Sequence, residues 1–192
     1  MKFCSDCGGP LEQRVPPGDH APRQVCTRCG TIHYRNPKVI VGCIPEAADG
    51  RVLMCKRAIH PRFGLWTFPA GFLELGETAA RGAQREAQEE AGADVEVDGL
   101  LAVIDVPYVS QLYMIYRARL PDPRFHPTHE SSEVVLMRED EIPWQQIAFP
   151  TIWHSLKFYF ADRAAGAPGF HTLELTYRPK APALAEVSGS PE

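Results

Sequence analysis

The chain has 192 residues, of which 44% are hydrophobic and 23% charged, and its formal net charge is −4. This composition is typical of a soluble, globular and mildly acidic protein, and it provides no broad basic field for bulk binding to nucleic acid or an anionic membrane. No apolar run approaches the length of about 18 residues that a transmembrane helix requires, and the polar N-terminus lacks the apolar core of a signal peptide. We therefore expect a cytoplasmic protein with no membrane partner.

Four cysteines near the N-terminus form two CxxC pairs with 18 residues between the pairs: Cys4, Cys7, Cys26 and Cys29. This spacing is typical of a zinc ribbon, because each tight turn presents two sulfurs to a tetrahedral ion. Four thiolates leave no open coordination position, so the zinc would be structural and would fold a unit too small to form its own core. Two disulfides or four free thiols are the alternatives, and a chain without a secretion signal disfavours the disulfides.

The remaining cysteines and the histidines show no comparable pattern. Cys43 and Cys55 lie in apolar runs and are expected to be small buried hydrophobic residues. His33 follows the ribbon directly, but four thiolates already fill the zinc site, so we expect a packing or surface role. No function is assigned to the other histidines considered: His60, His126, His129 and His154.

The central part of the chain predicts strands followed by a helix. The segments "NPKVIVGCI" and "RVLMCKR" predict two strands around the turn "PEAADG", and "LWTFPAG" predicts a short strand stopped by Pro69 and Gly71. A helix is predicted from about Thr78, a favourable N-cap, to Ala91, because Gly92 tolerates the positive φ found just past a helix end.

The C-terminal part predicts more strands and a second helix. The segments "DVEVDGLLAVIDVPYV" and "SQLYMIYRARL" predict neighbouring antiparallel strands, and "EVVLMR" and "HTLELTYRP" predict two further strands. The segment "TIWHSLKFYFADRAA" predicts an amphipathic helix with Ile152, Leu156, Tyr159 and Phe160 on one side. Mixed strands with two principal helices predict an α/β sandwich, in which helices cover both faces of a sheet.

The first helix contains the stretch "REAQEEAG", which places Glu86, Glu89 and Glu90 within an arc of about 100° on one face. These carboxylates lie at the unfavourable end of the helix dipole, at a cost of roughly 0.3–1 kcal/mol each, and they also repel one another. Clustered carboxylate oxygens suit a hard cation such as Mg²⁺ or Mn²⁺. On the helix alone, a solvated charged face remains the alternative interpretation.

The residues around this helix decide between the two interpretations. Gly71 is followed by five residues, then Glu77, then seven residues, then the stretch 85–93. This arrangement resembles the Nudix box, GX5EX7REUXEEXGU, at every fixed position, with Ala87 and Ala93 at the aliphatic positions U. The resemblance implies a Nudix α/β/α sandwich with a mixed sheet, and a hydrolase that uses divalent metal ions to attack the diphosphate of a nucleoside diphosphate derivative.

The resemblance also implies roles for single residues. Glu86, Glu89 and Glu90 would be the catalytic ligands of the Mg²⁺ or Mn²⁺ ions, and the backbone carbonyl of Gly71 would be an additional ligand. Glu89 or Glu90 is also a candidate for the general base that activates water, since the family varies in the position of this base.

Arg85 would pair with Glu77 and attach the loop of the box to its helix. Outside the box, Glu133 resembles the extra acidic ligand of related pyrophosphatases, and it is equally consistent with a surface role. We expect Glu130 to be a loop carboxylate in water.

The ribbon and box together resemble the zinc-ribbon Nudix hydrolases over residues 1–178, a group that includes FAD, ADP-ribose and NADH pyrophosphatases. The "SQPWPFP" segment of the NADH pyrophosphatases is missing, so we expect cleavage of FAD, to FMN and AMP, or of ADP-ribose. NADH or NAD-capped RNA is the alternative substrate. A protein of another class, a non-catalytic nucleotide sensor or nucleic-acid binder, is less consistent with an intact box, and we do not expect nucleic acid as a partner.

Aromatic rings could stack on a nucleobase or flavin, and arginines could contact phosphate. The candidates are Phe63, Trp66, Phe72, Tyr108 and Tyr113 for stacking, and Arg57 and Arg62 for phosphate; of these we expect Arg57, Arg62, Phe72 and Tyr108 to bind substrate. The expected domains are a ribbon over 1–34, a Nudix domain over 35–178 and a flexible tail over 179–192. Family resemblance alone implies a homodimer.

Overall fold

The computed structural model describes residues 1–176, which form two compact units, Met1–Pro37 and the chain from Lys38 onward. The tail expected over 179–192 lies outside the described residues. Within the described part, no helix is long and apolar enough to span a membrane.

The first unit contains a small antiparallel sheet. Its strands, β1 (Leu11–Arg14), β2 (Arg23–Cys26) and β3 (Ile32–His33), lie in that order. β2 pairs with both neighbours. Few apolar side chains are buried in this unit, and Val25 is one of them. The unit therefore has little hydrophobic core of its own.

The second unit is built on an eight-stranded sheet. Its strands are β4 (Lys38–Ala47), β5 (Val52–Arg57), β6 (Trp66–Thr67), β7 (Ala70–Phe72), β8 (Glu96–Val106), β9 (Gln111–Leu120), β10 (Ser131–Met137) and β11 (His171–Glu174). The main order is β10-β5-β4-β9-β8-β11, with β6 paired to β5 and β7 paired to β4. The sheet is mixed, because β4 is parallel to β9 and β11 is parallel to β8.

Two helices, α1 (Ala79–Ala91) and α2 (Pro150–Ala165), pack on two separate apolar clusters. Successive residues of a strand point to opposite faces, and β5 accordingly sends Leu53 to the α1 cluster and Met54 to the α2 cluster. Each helix therefore covers one face of the sheet, and the predicted α/β sandwich is confirmed.

The boundaries of the predicted helices are close to those observed. The predicted apolar side of α2 is fully buried, and it consists of Ile152, Leu156, Tyr159 and Phe160. The small side chains of α1 that face the sheet are also buried, and they include Ala83, Ala87 and Ala91. Their size lets the helix axis come close to the sheet, so the glutamate face of α1 is held near β7.

The predicted hairpin of β4 and β5 differs from the observed one. The two strands pair only at Glu46 and Val52, and further along, β7 pairs with β4. The segment "LWTFPAG" forms two strands rather than one, so Gly71 lies inside β7 and does not end a strand. Gly42 allows this arrangement, because a Cβ there would lie 2.5 Å from the Cβ of Ala70.

Candidate active site

Helix α1 has a clear beginning and end, which fix the direction of its carboxylates. The Thr78 hydroxyl accepts the Arg81 N–H at 3.3 Å as N-cap, and Gly92 has φ +59° past the last turn. A Cβ on Gly92 would also lie 2.1 Å from the imidazole ring of His126, so a glycine is required there for two reasons.

Glu86 lies directly against the backbone of β7. The residue is only 6% exposed, and a Cβ built on Gly71 would lie 2.3 Å from one of its carboxylate oxygens. Gly71 is therefore needed because the carboxylate occupies the space of a side chain. Burial raises the pKa of Glu86 to about 7, although Arg85 opposes this shift.

Glu90 is the most deeply buried of the three glutamates. It is 4% exposed, and one carboxylate oxygen accepts the Ala70 N–H at 3.1 Å. Burial, together with the negative charges of Glu86 and Glu130, raises the pKa of Glu90 to about 8, although the Ala70 N–H and the charge of Arg57 oppose the shift. A cation beside Glu90 would reverse this effect.

Arg85 connects the loop of the box to its helix. Its guanidinium donates to both carboxylate oxygens of Glu77 at 2.9 and 3.1 Å and to the carbonyl oxygen of Phe72 at 2.9 Å. The Nη1 group donates to Glu86 and to the half-exposed Glu89, each at 2.8 Å. This pairing lowers the pKa of Glu77, which therefore stays charged as a partner of Arg85.

The oxygens of these carboxylates have the chemistry that a hard divalent cation requires, and two of them are buried without a full counter-charge. No three acidic side chains of residues 1–176 bring one oxygen each within 4.8 Å of one another. Ligands of an octahedral Mg²⁺ ion lie at most roughly 4 Å apart, since each is about 2.1 Å from the metal. In this arrangement one ion can therefore contact at most two of the carboxylates, and waters or substrate oxygens would complete its coordination.

The two carboxylates outside the box lie in different surroundings. Glu133 is half exposed and accepts from Lys56 Nζ at 2.9 Å. Glu130 is less exposed, and its charge raises the pKa of both Glu86 and Glu90. Glu130 lies in the loop before β10, as the sequence predicts, but its charge acts on two carboxylates of the box. The register of β10 against β5 shifts between Ser131 and Glu133, which lies on the strand itself.

Of the candidate phosphate ligands, Arg57 is the last residue of β5 and Arg62 lies in the loop that follows it. Arg57 is 9% exposed, donates from Nε to the Pro61 carbonyl at 2.9 Å and has its guanidinium 5.3 Å from the centre of the Phe149 ring. Its positive charge lowers the pKa of Glu90. Arg62 has φ +66°, an uncommon conformation for a residue with a side chain.

The candidate stacking residues divide into exposed and buried rings. Phe72 is 50% exposed beside Gly71, with Lys38 Nζ 5.0 Å from its ring centre, and Tyr108 is 40% exposed. Phe63 is exposed in the loop that follows Arg57. Trp66 is buried in the α2 cluster, and Tyr113 packs against that cluster with its hydroxyl donating to Gln111. The exposed rings Phe63, Phe72 and Tyr108 are free to contact a ligand.

The four N-terminal cysteines form a preassembled cluster. One Sγ from each of Cys4, Cys7, Cys26 and Cys29 lies within 4.8 Å of the others. Each CxxC pair begins a turn, and the two turns are alike. Gly8 and Gly30 have positive φ, and their N–H groups donate to the carbonyls of Cys4 and Cys26 respectively. Four sulfurs this close together fit a tetrahedral ion.

The surroundings favour the thiolate, the form that binds zinc, at two of the four sulfurs, whereas the neighbouring sulfurs raise the pKa of Cys7 to about 12 against the effect of the Gly9 N–H. The N–H groups of Cys29 and Arg28 both donate to Cys26 Sγ at 3.4 Å and lower its pKa, and Thr31 lowers the pKa of Cys29. His33 was expected to have only a packing or surface role. The His33 Nε2 atom lies 3.2 Å from Cys4 Sγ, so the imidazole contacts the cluster in addition to the four cysteines.

Sequence reasoning missed two contributors to the site. The N–H of Ala70 holds Glu90, but any residue with an N–H could do so, and no side-chain signal reveals it. Glu130 is 40 positions from Glu90 in the sequence and follows a loop of irregular conformation, so only the fold shows that they are close.

Each of the two units matches a known protein family. The family described as "Nudix N-terminal", the zinc ribbon of Nudix proteins, matches residues 2–35, and the "NUDIX domain" family matches residues 36–158. A crystal structure of a NUDIX hydrolase from Nitrosomonas europaea has 54% sequence identity and a TM-score of 0.87, and the match covers 91% of this chain and 99% of that one.

Curated relatives carry more specific names. The NAD-capped RNA hydrolase NudC of Stutzerimonas stutzeri is 30% identical over 134 residues, which cover 69% of this chain and 46% of that protein. The ADP-ribose pyrophosphatase of Methanocaldococcus jannaschii is 39% identical over 74 residues, 38% of this chain and 43% of that protein.

The chain spans about a third to a half of the length of the NudC relatives it matches. The NUDIX domain match nevertheless covers well over half of the chain, and the predicted resemblance is confirmed. With an intact box on α1 and a ribbon of four cysteines, this chain belongs to the NUDIX family and carries the zinc-ribbon N-terminal unit of that family.

Proposed function

We propose that this protein is a metal-dependent pyrophosphatase that cleaves the diphosphate of a nucleoside diphosphate derivative. The observation that carries the proposal is the burial of Glu86 and Glu90 against Ala70 and Gly71, where the positive charges of Arg85 and Arg57 oppose their raised pKa values but do not cancel the shift. A divalent cation supplies that charge, polarises the phosphoryl oxygens and favours deprotonation of water.

The residues of the chain position the substrate around that cation. Glu86 and Glu90 hold the metal, with Glu89 and the Gly71 carbonyl as further ligands of the Mg²⁺ or Mn²⁺ ions. Glu130 is the carboxylate outside the box that we assign to the site, either as a ligand or as the base that accepts a proton from water.

Contacts to the rest of the substrate come from the neighbouring loops. We assign Arg57, whose charge lowers the pKa of Glu90, to a contact with a phosphate oxygen, and Arg62 in the following loop to a second one. Phe72 follows Gly71 directly and offers an exposed face for stacking on a base, with Tyr108 as a second ring.

For the substrate, we infer ADP-ribose or FAD as the first choice. The name of the M. jannaschii relative supports ADP-ribose, and FAD rests on the resemblance of the sequence alone. NAD-type substrates, including NAD-capped RNA, are the second candidate, because several relatives carry the name NAD-capped RNA hydrolase. The missing "SQPWPFP" segment argues against that candidate.

We also propose that the four cysteines bind one structural zinc ion, in a ribbon ending near residue 34, and that the catalytic domain follows it. A homodimer remains a prediction from the family, and light scattering on the purified protein will test it.

A turnover panel tests the proposed activity. Purified protein is incubated with ADP-ribose, FAD, NADH and NAD-capped RNA at equal concentration, with Mg²⁺, with Mn²⁺ or with neither, and products are separated by chromatography. We expect mononucleotide products only with added metal, fastest from ADP-ribose or FAD. No product from any diphosphate with either metal would refute the proposal.

A further inference from the structure

The segment between β9 and β10 contains a threonine whose hydroxyl joins the backbones of two acidic residues. Thr128 Oγ1 donates to the carbonyl oxygen of Glu90 at 3.2 Å and accepts the N–H of Glu130 at 3.2 Å. One hydroxyl therefore connects the helix that carries Glu86 and Glu90 to the loop that carries Glu130.

The same segment closes the end of α1. The His126 N–H donates to the Ala91 carbonyl at 2.8 Å, and the His126 ring lies against Gly92, where a side chain would otherwise be. The Glu90 and Ala91 carbonyls belong to the last turn, in which no later helical N–H is available to bond them. Thr128 and His126 supply these two donors, so the segment is attached to the part of the helix that positions Glu90.

The loop is fixed on its other side as well. The Ala58 N–H donates to the Glu130 carbonyl at 2.7 Å, next to the buried Arg57. The side chains of Glu90 and Glu130 are close enough for the charge of Glu130 to act on Glu90. Like charges repel, and the bond from Ala58 ties Glu130 to the end of β5 but not to α1. The Thr128 hydroxyl is the contact that ties the backbone of Glu130 to that of Glu90.

We propose that Thr128 is a positioning residue, whose hydroxyl fixes the separation of the Glu90 and Glu130 carboxylates and thereby the affinity of the site for a divalent cation. The inference rests on the proposed function, because that function places the cation at these carboxylates. Thr128 contacts neither substrate nor metal, and it acts through the two backbones that it joins.

The test compares Thr128→Val, which keeps the shape but removes the hydroxyl, with Thr128→Ser, which keeps the hydroxyl. Thr172→Val, at an exposed position of β11, is the matched control. Mn²⁺ is titrated into the full-length, zinc-loaded proteins without substrate, and free Mn²⁺ is read by electron paramagnetic resonance.

We expect about tenfold weaker Mn²⁺ binding for Thr128→Val, as for other residues that orient metal ligands indirectly, and nearly unchanged binding for Thr128→Ser and for the control. The Mn²⁺ concentration for half-maximal turnover should rise by the same factor, while KM for the substrate at saturating Mn²⁺ should change little. Thr128→Ala serves as a second variant without the hydroxyl if the valine variant is too unstable to titrate.

Wild-type affinity in Thr128→Val or Thr128→Ala would overturn the inference, and so would an equal loss in Thr128→Ser, which would show that packing rather than the hydroxyl matters. If the wild-type protein itself binds no Mn²⁺, the proposed function fails, and this outcome is distinct from a failure that concerns Thr128 alone.

Discussion

The two sites of this protein prepare for their metal ions in opposite ways. The four cysteine sulfurs already lie within 4.8 Å of one another, and two backbone N–H groups favour the thiolate of Cys26. The glutamates of α1 are not gathered in this way, because Arg85 holds Glu86 and Glu89 while Glu90 is bound to the Ala70 N–H. A closed tetrahedral site needs only its ion, whereas a catalytic site must leave coordination positions for water and substrate.

The difference also appears in what each ion would stabilise. In the ribbon, the ion replaces a hydrophobic core that the small unit lacks. In the second unit, two apolar clusters form the core, and a cation at the box would instead relieve the cost of two buried carboxylates. Removal of a ligand should therefore unfold the first site but should leave the fold of the second intact.

The largest expected effect is that of Glu90→Gln on turnover. We expect kcat to fall by roughly 10²–10⁴-fold, because the amide is a poor ligand for the cation that neutralises the developing charge. Without divalent metal at pH 8 the same variant should melt at an equal or higher temperature than the wild type, since a buried charge is removed. Steady-state kinetics and thermal unfolding measure the two effects, and a marked loss of stability would contradict the assigned role.

The next largest effect is that of zinc removal on the ribbon. Structural zinc contributes about 10–16 kcal/mol of apparent binding free energy in zinc-finger peptides, so Cys26→Ser or chelation should unfold residues 1–37. Hydrogen exchange should then show lost protection in β1 and β2 but retained protection in β4 and β9. Retained protection in β2 without zinc would contradict a metal-dependent fold.

A smaller effect is expected from pH on the metal-free catalytic unit. The pKa of Glu86 is raised to about 7 and that of Glu90 to about 8, from an ordinary value near 4.5. Between pH 4.5 and 8 the folded state therefore binds more protons than the unfolded state, so the contribution of both groups to stability falls as the pH rises. Urea unfolding of the zinc-loaded protein without Mg²⁺ or Mn²⁺ should show this decrease. Saturating Mg²⁺ should make this decrease in stability smaller. A free energy of unfolding that rises with pH over this range would contradict the burial of these groups.

The smallest effect is expected for Glu133→Gln, which removes an exposed ion pair with Lys56. Such pairs contribute about 0–1 kcal/mol to stability, and we expect kcat within about twofold of the wild type. Glu130→Gln is the matched comparison and should lower kcat by at least tenfold. Equal losses in both variants, or a larger loss in Glu133→Gln, would show that the geometry has been assigned to the wrong carboxylate.

Much of the fold could be predicted from sequence because its signals are local. The cap of α1 at Thr78 and Gly92, the apolar side of α2 and the alternating strands of β8 and β9 each depend on residues close together in the chain. The parallel pairing of β4 with β9 could not be predicted, since it joins segments about 70 residues apart without any local signal.

The residues of the candidate site also differ in whether a local sequence signal predicts them. The box glutamates, Arg85 and Glu77 lie within one short stretch and follow a recognisable pattern. Glu130 and Thr128 lie in the loop after β9, far from the box in sequence, and Glu133 resembles a ligand in sequence but forms an exposed ion pair with Lys56. Neither the loop contacts nor this ion pair has a local sequence signal, so the preference for Glu130 that we propose depends on the fold.

Anomalous diffraction from a crystal of the zinc-loaded protein soaked with Mn²⁺ and a non-hydrolysable ADP-ribose analogue will show whether a cation lies between the buried glutamates and the diphosphate. We expect a manganese peak about 2.0–2.3 Å from a carboxylate oxygen of Glu90 or Glu86 and from an oxygen of the diphosphate, together with a separate zinc peak at the four cysteine sulfurs. A bound diphosphate with no manganese at either glutamate would contradict it.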